Sequence, residues 1–198
     1  ENVVVSGGKN FKVSDMEKVD TGDVFGRIPE SAREHIVKIP LSDIGIDSIG
    51  RQEVWGAYRN DVLRLYPQAT VNASASFECD GTLLLPARWP NDGFSHIESV
   101  LDEGTILSSA QSTDELRGAT FKIPAEKAEL WKNAKDAWLM GLWKYDWAEQ
   151  NTPVASVDAE NASITTGYAF SSGVSAYGGL QGGKYYIFNL PEELDAPG

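Results

Sequence analysis

The sequence has 198 residues, with 29 acidic and 17 basic side chains, and its formal net charge is −12 at pH 7. A field of this sign repels phosphate backbones and anionic lipid surfaces, so neither nucleic acid nor a membrane is an expected partner. Hydrophobic residues make up 41% of the chain, which is typical of a globular domain. No apolar run approaches the roughly 20 residues that a membrane span requires.

Cysteine and histidine are both scarce. Cys79 is the single cysteine, so the sequence excludes an intramolecular disulfide and a cysteine metal cage. Its place two residues after Phe77, on the same face of a predicted strand, predicts a buried thiol. His35 and His96 are far apart and have no further ligands at metal-binding spacing, so we expect neither a metal site nor a cofactor.

The first 66 residues predict short elements separated by turns. A weak helix is expected over residues 23–34, with Pro29 in its first turn, where proline is tolerated. Residues 55–66 are ambiguous between helix and strand. The other expected elements are strands at residues 3–5, 12–18 and 35–39 and a helical turn at residues 41–46.

A β-hairpin is predicted around Asp80-Gly81. Residues 71–79 alternate apolar and polar side chains, which is the period of a half-buried strand. Asp-Gly is the strongest short signal for a two-residue turn, so residues 82–87 should pair back antiparallel. The expected pairs are Phe77 with Leu84 and Cys79 with Thr82. Pro86 has no N–H to donate and marks the end of the pairing.

The second half of the chain predicts mainly strands. A helix is expected over residues 125–135, opened by Pro124 and with Trp131 on its apolar face. Residues 136–147 fit a helix or a strand, but Gly141 would cost a helix about 1 kcal/mol relative to alanine, and the aromatic content favours a strand. Further elements are strands at residues 94–101, 119–123, 154–156, 163–166 and 184–189 and a helical turn at residues 191–194. The predicted fold is mainly β, an antiparallel sandwich-like or barrel-like domain with a few short helices.

Arg88, Trp89, Pro90 and Asn91 follow the returning strand of the hairpin. A guanidinium, an indole and a proline at a strand end fit either a ligand site or a structural corner. The corner is favoured, because proline fixes the bend and the Arg88 guanidinium can donate to carbonyls that the ladder no longer pairs.

Trp143, Tyr145 and Trp147 would share one face of a strand, about 6.6 Å apart. Aromatic faces stack on the apolar faces of sugar rings, so this row is the candidate carbohydrate-binding site. The alternative is core packing, which the general frequency of buried aromatic residues favours. Asp146 lies between two aromatic residues, but on a strand it points away from both, and no catalytic residue is assigned.

Four stretches resemble a known group of enzymes: NVVVSGGK near the start, LLLPARWPNDGF, DAWLMGLWKYDWA and KYYIFNLPEELDAPG. Their order and spacing are similar to those of bacterial right-handed parallel β-helix enzymes typified by family 141 of the glycoside hydrolases. In that family a β-rich domain is inserted between early rungs of the β-helix, and the catalytic carboxylates lie in later rungs. No catalytic residue of the family falls on the matching motifs here.

The resemblance implies that the chain is a piece of a larger enzyme. Residues 1–20 would form a β-helix edge strand and entry segment, residues 21–183 the insertion domain and residues 184–198 the return strand. The implied function is a non-catalytic insertion domain of a secreted bacterial glycosidase, which packs on the β-helix and shapes the glycan cleft. Its implied partners are a plant or microbial polysaccharide and the rest of the β-helix, in the periplasm or outside the cell.

Two other functions remain open from the residues alone. One is a stand-alone carbohydrate-binding module that uses the aromatic row. The other is an interaction or adhesion domain, for which neither turnover nor glycan binding is expected.

Overall fold

The computed structural model describes residues 8–50, 52–66, 69, 76–109, 116–179 and 181–196. The predicted strand at residues 3–5 and the first part of the one at residues 71–79 lie outside these ranges. The strands are β1 (Glu17–Lys18), β2 (Val37–Lys38), β3 (Phe77–Cys79), β4 (Thr82–Leu84), β5 (Arg88–Trp89), β6 (Ser95–His96), β7 (Val100–Asp102), β8 (Thr120–Lys122), β9 (Trp138–Leu142), β10 (Glu149–Asp158), β11 (Ser163–Thr166) and β12 (Lys184–Phe188). The helices are α1 (Asp23–Arg27), α2 (Arg59–Leu65) and α3 (Ala125–Trp131), with 3₁₀ turns at Val13–Asp15, Leu41–Ile44 and Pro191–Glu193.

Most strands belong to one antiparallel sheet of eight strands. Its order is β5-β12-β9-β10-β11-β8-β7, and β6 also pairs with β12. Two separate ribbons, β1–β2 and β3–β4, complete the β structure of the described chain. The prediction of a mainly β, antiparallel fold with a few short helices is confirmed.

Strand β10 bends the large sheet over its own core. Its first half pairs with β9 and its second half with β11, and the register shifts between Val154 and Ser156. A bulge of this kind bends a strand and increases its local twist. Phe121 of β8 therefore meets Tyr185 of β12 edge-on, with ring centroids 5.0 Å apart. Side chains from both halves of the sheet fill one hydrophobic core, as expected of a sandwich-like domain.

Helix α3 closes this core and is tied to the turn after β12. Trp131 is fully buried, as predicted, and the helix follows Pro124 but ends at Trp131 rather than near residue 135. Glu193 is buried and accepts hydrogen bonds from Lys127 Nζ and Trp131 Nε1. Its neighbour Glu192 is also buried and accepts two hydrogen bonds from the Arg27 guanidinium at 2.7 and 3.1 Å. These hydrogen bonds raise the pKa of Arg27.

A second, smaller core lies on the opposite face of the large sheet. It is built from Val54, Val62, Tyr66, Tyr168 and Ala169, with Trp138 packed against it. The Tyr66 hydroxyl accepts the main-chain N–H of Ala169 at 2.8 Å. The ambiguous segment at residues 55–66 thus contains a helix, α2, whose buried Val62 holds it against the sheet.

The predicted hairpin is present in its predicted register. Phe77 pairs with Leu84 and Cys79 with Thr82, and Asp80 and Gly81 have φ values of 49° and 79°, as a two-residue turn of this type requires. However, the hairpin pairs with no other strand of the described chain. Cys79 is consequently exposed, and the expectation of a buried thiol is wrong.

Two predictions in the first 40 residues need correction. Helix α1 ends at Arg27, so Pro29 follows the helix instead of opening it. Ile28 is extended (φ −72°, ψ 134°), because a residue before proline is biased away from the helical region. Residues 12–18 contain a 3₁₀ turn, and only Glu17–Lys18 forms a strand.

Strand pairing crosses both of the predicted domain boundaries. Strand β1 pairs with β2 across residue 20. Strand β12, expected to lead back to a β-helix, lies inside the large sheet between β9 and the short strands β5 and β6. A cut at residue 184 would therefore divide this sheet, and the attachment of residues 184–198 to a β-helix stays a prediction.

Candidate functional site

The face of the large sheet that points away from the main core carries an aromatic and polar surface. Along β12, Tyr185 and Ile187 are buried in the core, whereas Tyr186 and Phe188 alternate to the other face. Tyr186 lies opposite Met140 on β9, and Met140 lies opposite Asn151 on β10. These strands bring side chains that are distant in sequence into one row, because a strand alternates its side chains between two faces.

The row is the floor of an open groove of about 360 Å³, lined by Glu53, Trp55, Leu85, Arg88, Tyr186 and Phe188 among others. We refer to it below as the groove. One wall is the segment at residues 53–56, where the Trp55 side chain is 44% exposed. The segment at residues 85–86, which follows the hairpin, also lines the groove.

Hydrogen bonds to Asn151 fix the Trp55 wall. Asn151 Oδ1 accepts the main-chain N–H of Trp55 at 2.7 Å, and Asn151 Nδ2 donates to the Glu53 carbonyl at 2.8 Å. The next residue, Gly56, forms a β-bridge with Gln150. A Cβ at Gly56 would lie 2.2 Å from the Glu149 carbonyl oxygen, so the close approach of these two segments requires glycine here.

The predicted corner borders the groove at Arg88. Arg88 Nε donates to the Pro90 carbonyl at 2.8 Å, and its Nη2 donates to the Gly93 carbonyl. The sequence predicts that Arg88 donates to main-chain carbonyls that the strand ladder no longer pairs, and both hydrogen bonds agree with this prediction. Trp89 packs against Trp131 in the core, with ring centroids 5.5 Å apart. Asn91 Nδ2 donates to Asp195 at 3.1 Å, after the cis peptide bond between Trp89 and Pro90.

Arg88 also belongs to the groove surface. Its guanidinium carbon lies 3.7 Å from the centroid of the Tyr186 ring, which is a favourable cation–π arrangement. Burial raises the pKa of Tyr186, and the positive charge of Arg88 opposes that shift. Arg88 therefore braces the corner and also forms part of the groove, so the two interpretations of this motif are compatible.

The structure does not form the predicted aromatic row of Trp143, Tyr145 and Trp147. Residues 138–142 form a strand, as favoured, but β9 ends at Leu142, so Trp143, Tyr145 and Trp147 do not share a strand face. Trp143 is 3% exposed and its Nε1 donates to the Gln150 carbonyl at 2.8 Å. Its indole folds back over Gly141, whose missing side chain makes room for the ring. Trp143 is thus a core residue.

Tyr145 and Trp147 remain at the surface as a stacked pair. Their ring centroids are 5.6 Å apart with an angle of 14° between the planes, and Trp147 is 66% exposed. Asp146, between them, is exposed. Tyr145 and Tyr58 also line a small pocket that reaches the buried side chain of Gln150. The Gln150 amide has no hydrogen-bond partner among the described residues.

Sequence reasoning missed the groove because its residues come from segments far apart in the chain. The alternation of Tyr186 and Phe188 with buried Tyr185 and Ile187 was a usable signal, since it placed two aromatic residues on one strand face. Nothing local indicated that Trp55 would lie over the same face.

Comparisons with protein-family models, with curated proteins and with solved structures find no match for this chain. Within the described ranges, no group of three or more His, Cys, Asp and Glu side chains is placed to hold a metal ion. No helix there is long and apolar enough to cross a membrane.

Proposed function

We propose that the chain is a non-catalytic, glycan-binding insertion domain of a secreted bacterial β-helix glycoside hydrolase. The observation that carries the glycan-binding part is the groove, whose lining combines the aromatic side chains of Trp55, Tyr186 and Phe188 with polar residues such as Glu53, Arg88 and Asn151. Sugar-binding sites require apolar faces for the C–H side of the ring and polar groups for its hydroxyls. The assignment to a β-helix enzyme rests on the resemblance of the sequence motifs.

The lack of a second carboxylate among the described lining residues of the groove argues for binding rather than hydrolysis. Glycosidases use two carboxylates held roughly 5–10 Å apart. Of the described residues that line the groove, only Glu53 carries a carboxylate. In the proposed arrangement the catalytic pair belongs to the later rungs of the parent enzyme, and the isolated domain binds glycan without turnover.

The test is calorimetric titration of the chain with soluble plant and microbial polysaccharides. We expect Trp55→Ala and Tyr186→Ala each to weaken binding at least about fivefold, since Trp and Tyr are enriched among the interface side chains whose truncation costs more than about 1 kcal/mol. Leu130→Ala, which removes an exposed apolar side chain on α3, is the matched control and should bind like the parent. Binding that survives both aromatic substitutions would overturn the assignment to the groove.

The stacked pair of Tyr145 and Trp147 supports a second candidate site, because Trp147 presents a largely exposed indole. In this case the chain is a carbohydrate-binding module that acts through this pair. The same titration separates the two sites: Trp147→Ala would abolish binding and Trp55→Ala would not. Absence of binding to every polysaccharide, together with absence of turnover, would instead favour an interaction or adhesion domain.

A further inference from the structure

Arg88 lies on the face of the large sheet that forms the groove. In the pairing of β5 with β12, Arg88 is directly opposite Phe188. Residues that are directly opposite in an antiparallel pair share one face of the sheet, so Arg88 lies on the groove side together with Phe188. Its guanidinium is accordingly found over the ring of Tyr186, which also lines the groove.

Two of the five N–H groups of Arg88 are used within the chain. Nε donates to the Pro90 carbonyl and Nη2 donates to the Gly93 carbonyl. The Nε–H and one N–H of Nη2 form one edge of the planar guanidinium. Its end edge, where Nη1 and Nη2 present two parallel N–H groups, takes no part in these bonds. Among the described residues, none accepts a hydrogen bond from Nη1.

The positive charge of Arg88 is also without an ionic partner in the described chain. None of the ion pairs between described residues includes it. Its effect on the groove is visible at Tyr186: burial raises the pKa of the phenol, the charge of Arg88 lowers it, and the carboxylate of Glu149 raises it by less than that. In the described lining the formal charges of Arg88 and Glu53 cancel, so the lining does not share the strong negative charge of the whole chain.

A fixed guanidinium with a free end edge is suited to bind a carboxylate. The two oxygens of a carboxylate match two parallel N–H groups, and such charge-assisted pairs are among the strong hydrogen bonds of proteins. The two carbonyl bonds and the contact with Tyr186 already hold the Arg88 side chain, so little of its freedom is lost when a ligand binds. The net charge of −12 repels anions at long range, but salt screens that repulsion more than it screens a half-buried contact pair.

We infer that Arg88 binds the carboxylate of a uronic acid in the groove, while the sugar ring contacts the aromatic side chains there, and that the groove therefore prefers acidic glycans. This inference rests on the proposed glycan-binding function. It adds the chemical class of the glycan and the residue that recognises it.

The experiment compares an oligogalacturonide with its fully methyl-esterified form, by calorimetry at low salt. The two ligands have the same rings, linkages and length, and only the acid carries negative charge. We expect the parent chain to bind the acid at least about tenfold more tightly than the ester, because hydrogen bonds to a charged acceptor are stronger than those to a neutral one. Added salt should weaken the binding of the acid and leave the binding of the ester unchanged.

Two variants of Arg88 separate its charge from its shape. Arg88→Gln removes the charge and should abolish the preference for the acid. Arg88→Lys keeps the charge but lacks the planar fork, so it should retain only part of the preference. The matched control is Arg59→Gln, which makes the same change in net charge at an exposed position in α2 and should bind both ligands like the parent. Circular dichroism checks that the variants fold like the parent.

The comparison of acid and ester in the parent chain needs no variant. Equal or tighter binding of the ester would overturn this inference and leave the proposed function in place. The same holds if neither form binds while a polysaccharide without uronic acid binds in the groove. A preference for the acid that survives in Arg88→Gln, or that is lost in Arg59→Gln, would overturn the role of Arg88. Failure to bind any glycan would overturn the proposed function and this inference with it.

Discussion

Trp131 donates its indole N–H to the Glu193 carboxylate at 2.7 Å, inside the core that α3 and the large sheet enclose. Lys127 Nζ lies 2.7 Å from the same carboxylate, whose side chain is almost completely buried. The turn after β12 is thereby attached to α3, and through Glu192 and Arg27 it is also attached to α1. These contacts join three segments that are distant in sequence.

Removal of the Glu193 carboxylate should destabilise the domain strongly. In Glu193→Ala the Lys127 ammonium and the Trp131 N–H lose their partner while they stay largely buried, and breaking a buried pair in this way costs about 3–5 kcal/mol. Glu129→Ala is the matched control, because Glu129 pairs with Lys132 at an exposed position. That change should cost less than about 1 kcal/mol. Urea denaturation measures both, and equal losses would contradict the structural role of Glu193.

Addition of a methyl group at Gly141 should also be destabilising. An added Cβ would lie 2.6 Å from the Trp143 indole, so the ring would have to shift within a filled core. Overpacking of this kind costs about 1–3 kcal/mol. Gly26→Ala in α1 is the control: its Cβ would meet no atom within 4 Å, and alanine favours the helix. Thermal unfolding should therefore show opposite signs for the two substitutions, and a neutral Gly141→Ala would argue against the observed position of the indole.

Tyr185 should make the fold sensitive to alkaline pH. Burial raises its pKa from 10.0 to about 12. Between these values the unfolded chain loses the phenolic proton while the folded chain keeps it, so stability falls as pH rises, by about 1.4 kcal/mol per pH unit for one such group. Below pH 10 the contribution is fully present. Burial acts in the same direction on the pKa of Tyr66, Tyr168 and Tyr186.

The measurement is the free energy of unfolding of the parent and of Tyr185→Phe at several values of pH. Their difference should be constant below pH 10, and above it the parent should lose stability faster than the variant. Parallel curves up to pH 12 would show that Tyr185 does not keep its proton in the folded state over this range.

Local sequence signals predicted several elements well. The Asp80-Gly81 turn fixed the hairpin register, because its left-handed backbone conformations suit only a few residue types. Pro124 and the helix-forming residues after it located α3, and aromatic content indicated the strand at Trp138–Leu142. The same signals failed for Cys79, since a correct hairpin still leaves open which of its faces another part of the chain will cover.

The residues of the candidate site were also predicted only in part. The sequence predicted an aromatic row at Trp143, Tyr145 and Trp147 as the candidate sugar-binding site, but Trp143 is buried and the other two residues lie after the end of β9. It also expected Arg88 to bond main-chain carbonyls, and this is what the guanidinium does. It gave no indication that Arg88 would stand beside Tyr186.

The sequence by itself determined the mainly β class, the hairpin, the corner at Arg88 and the negative charge, because each depends on composition or on residues adjacent in the chain. The tertiary structure alone decided which aromatic rings are buried and which line the groove. Trp55 and Asn151 are 96 residues apart, yet a hydrogen bond between them positions one wall of the groove. Such contacts depend on how the sheet bends at β10 and on which strands become neighbours, and no local pattern of residues carries that information.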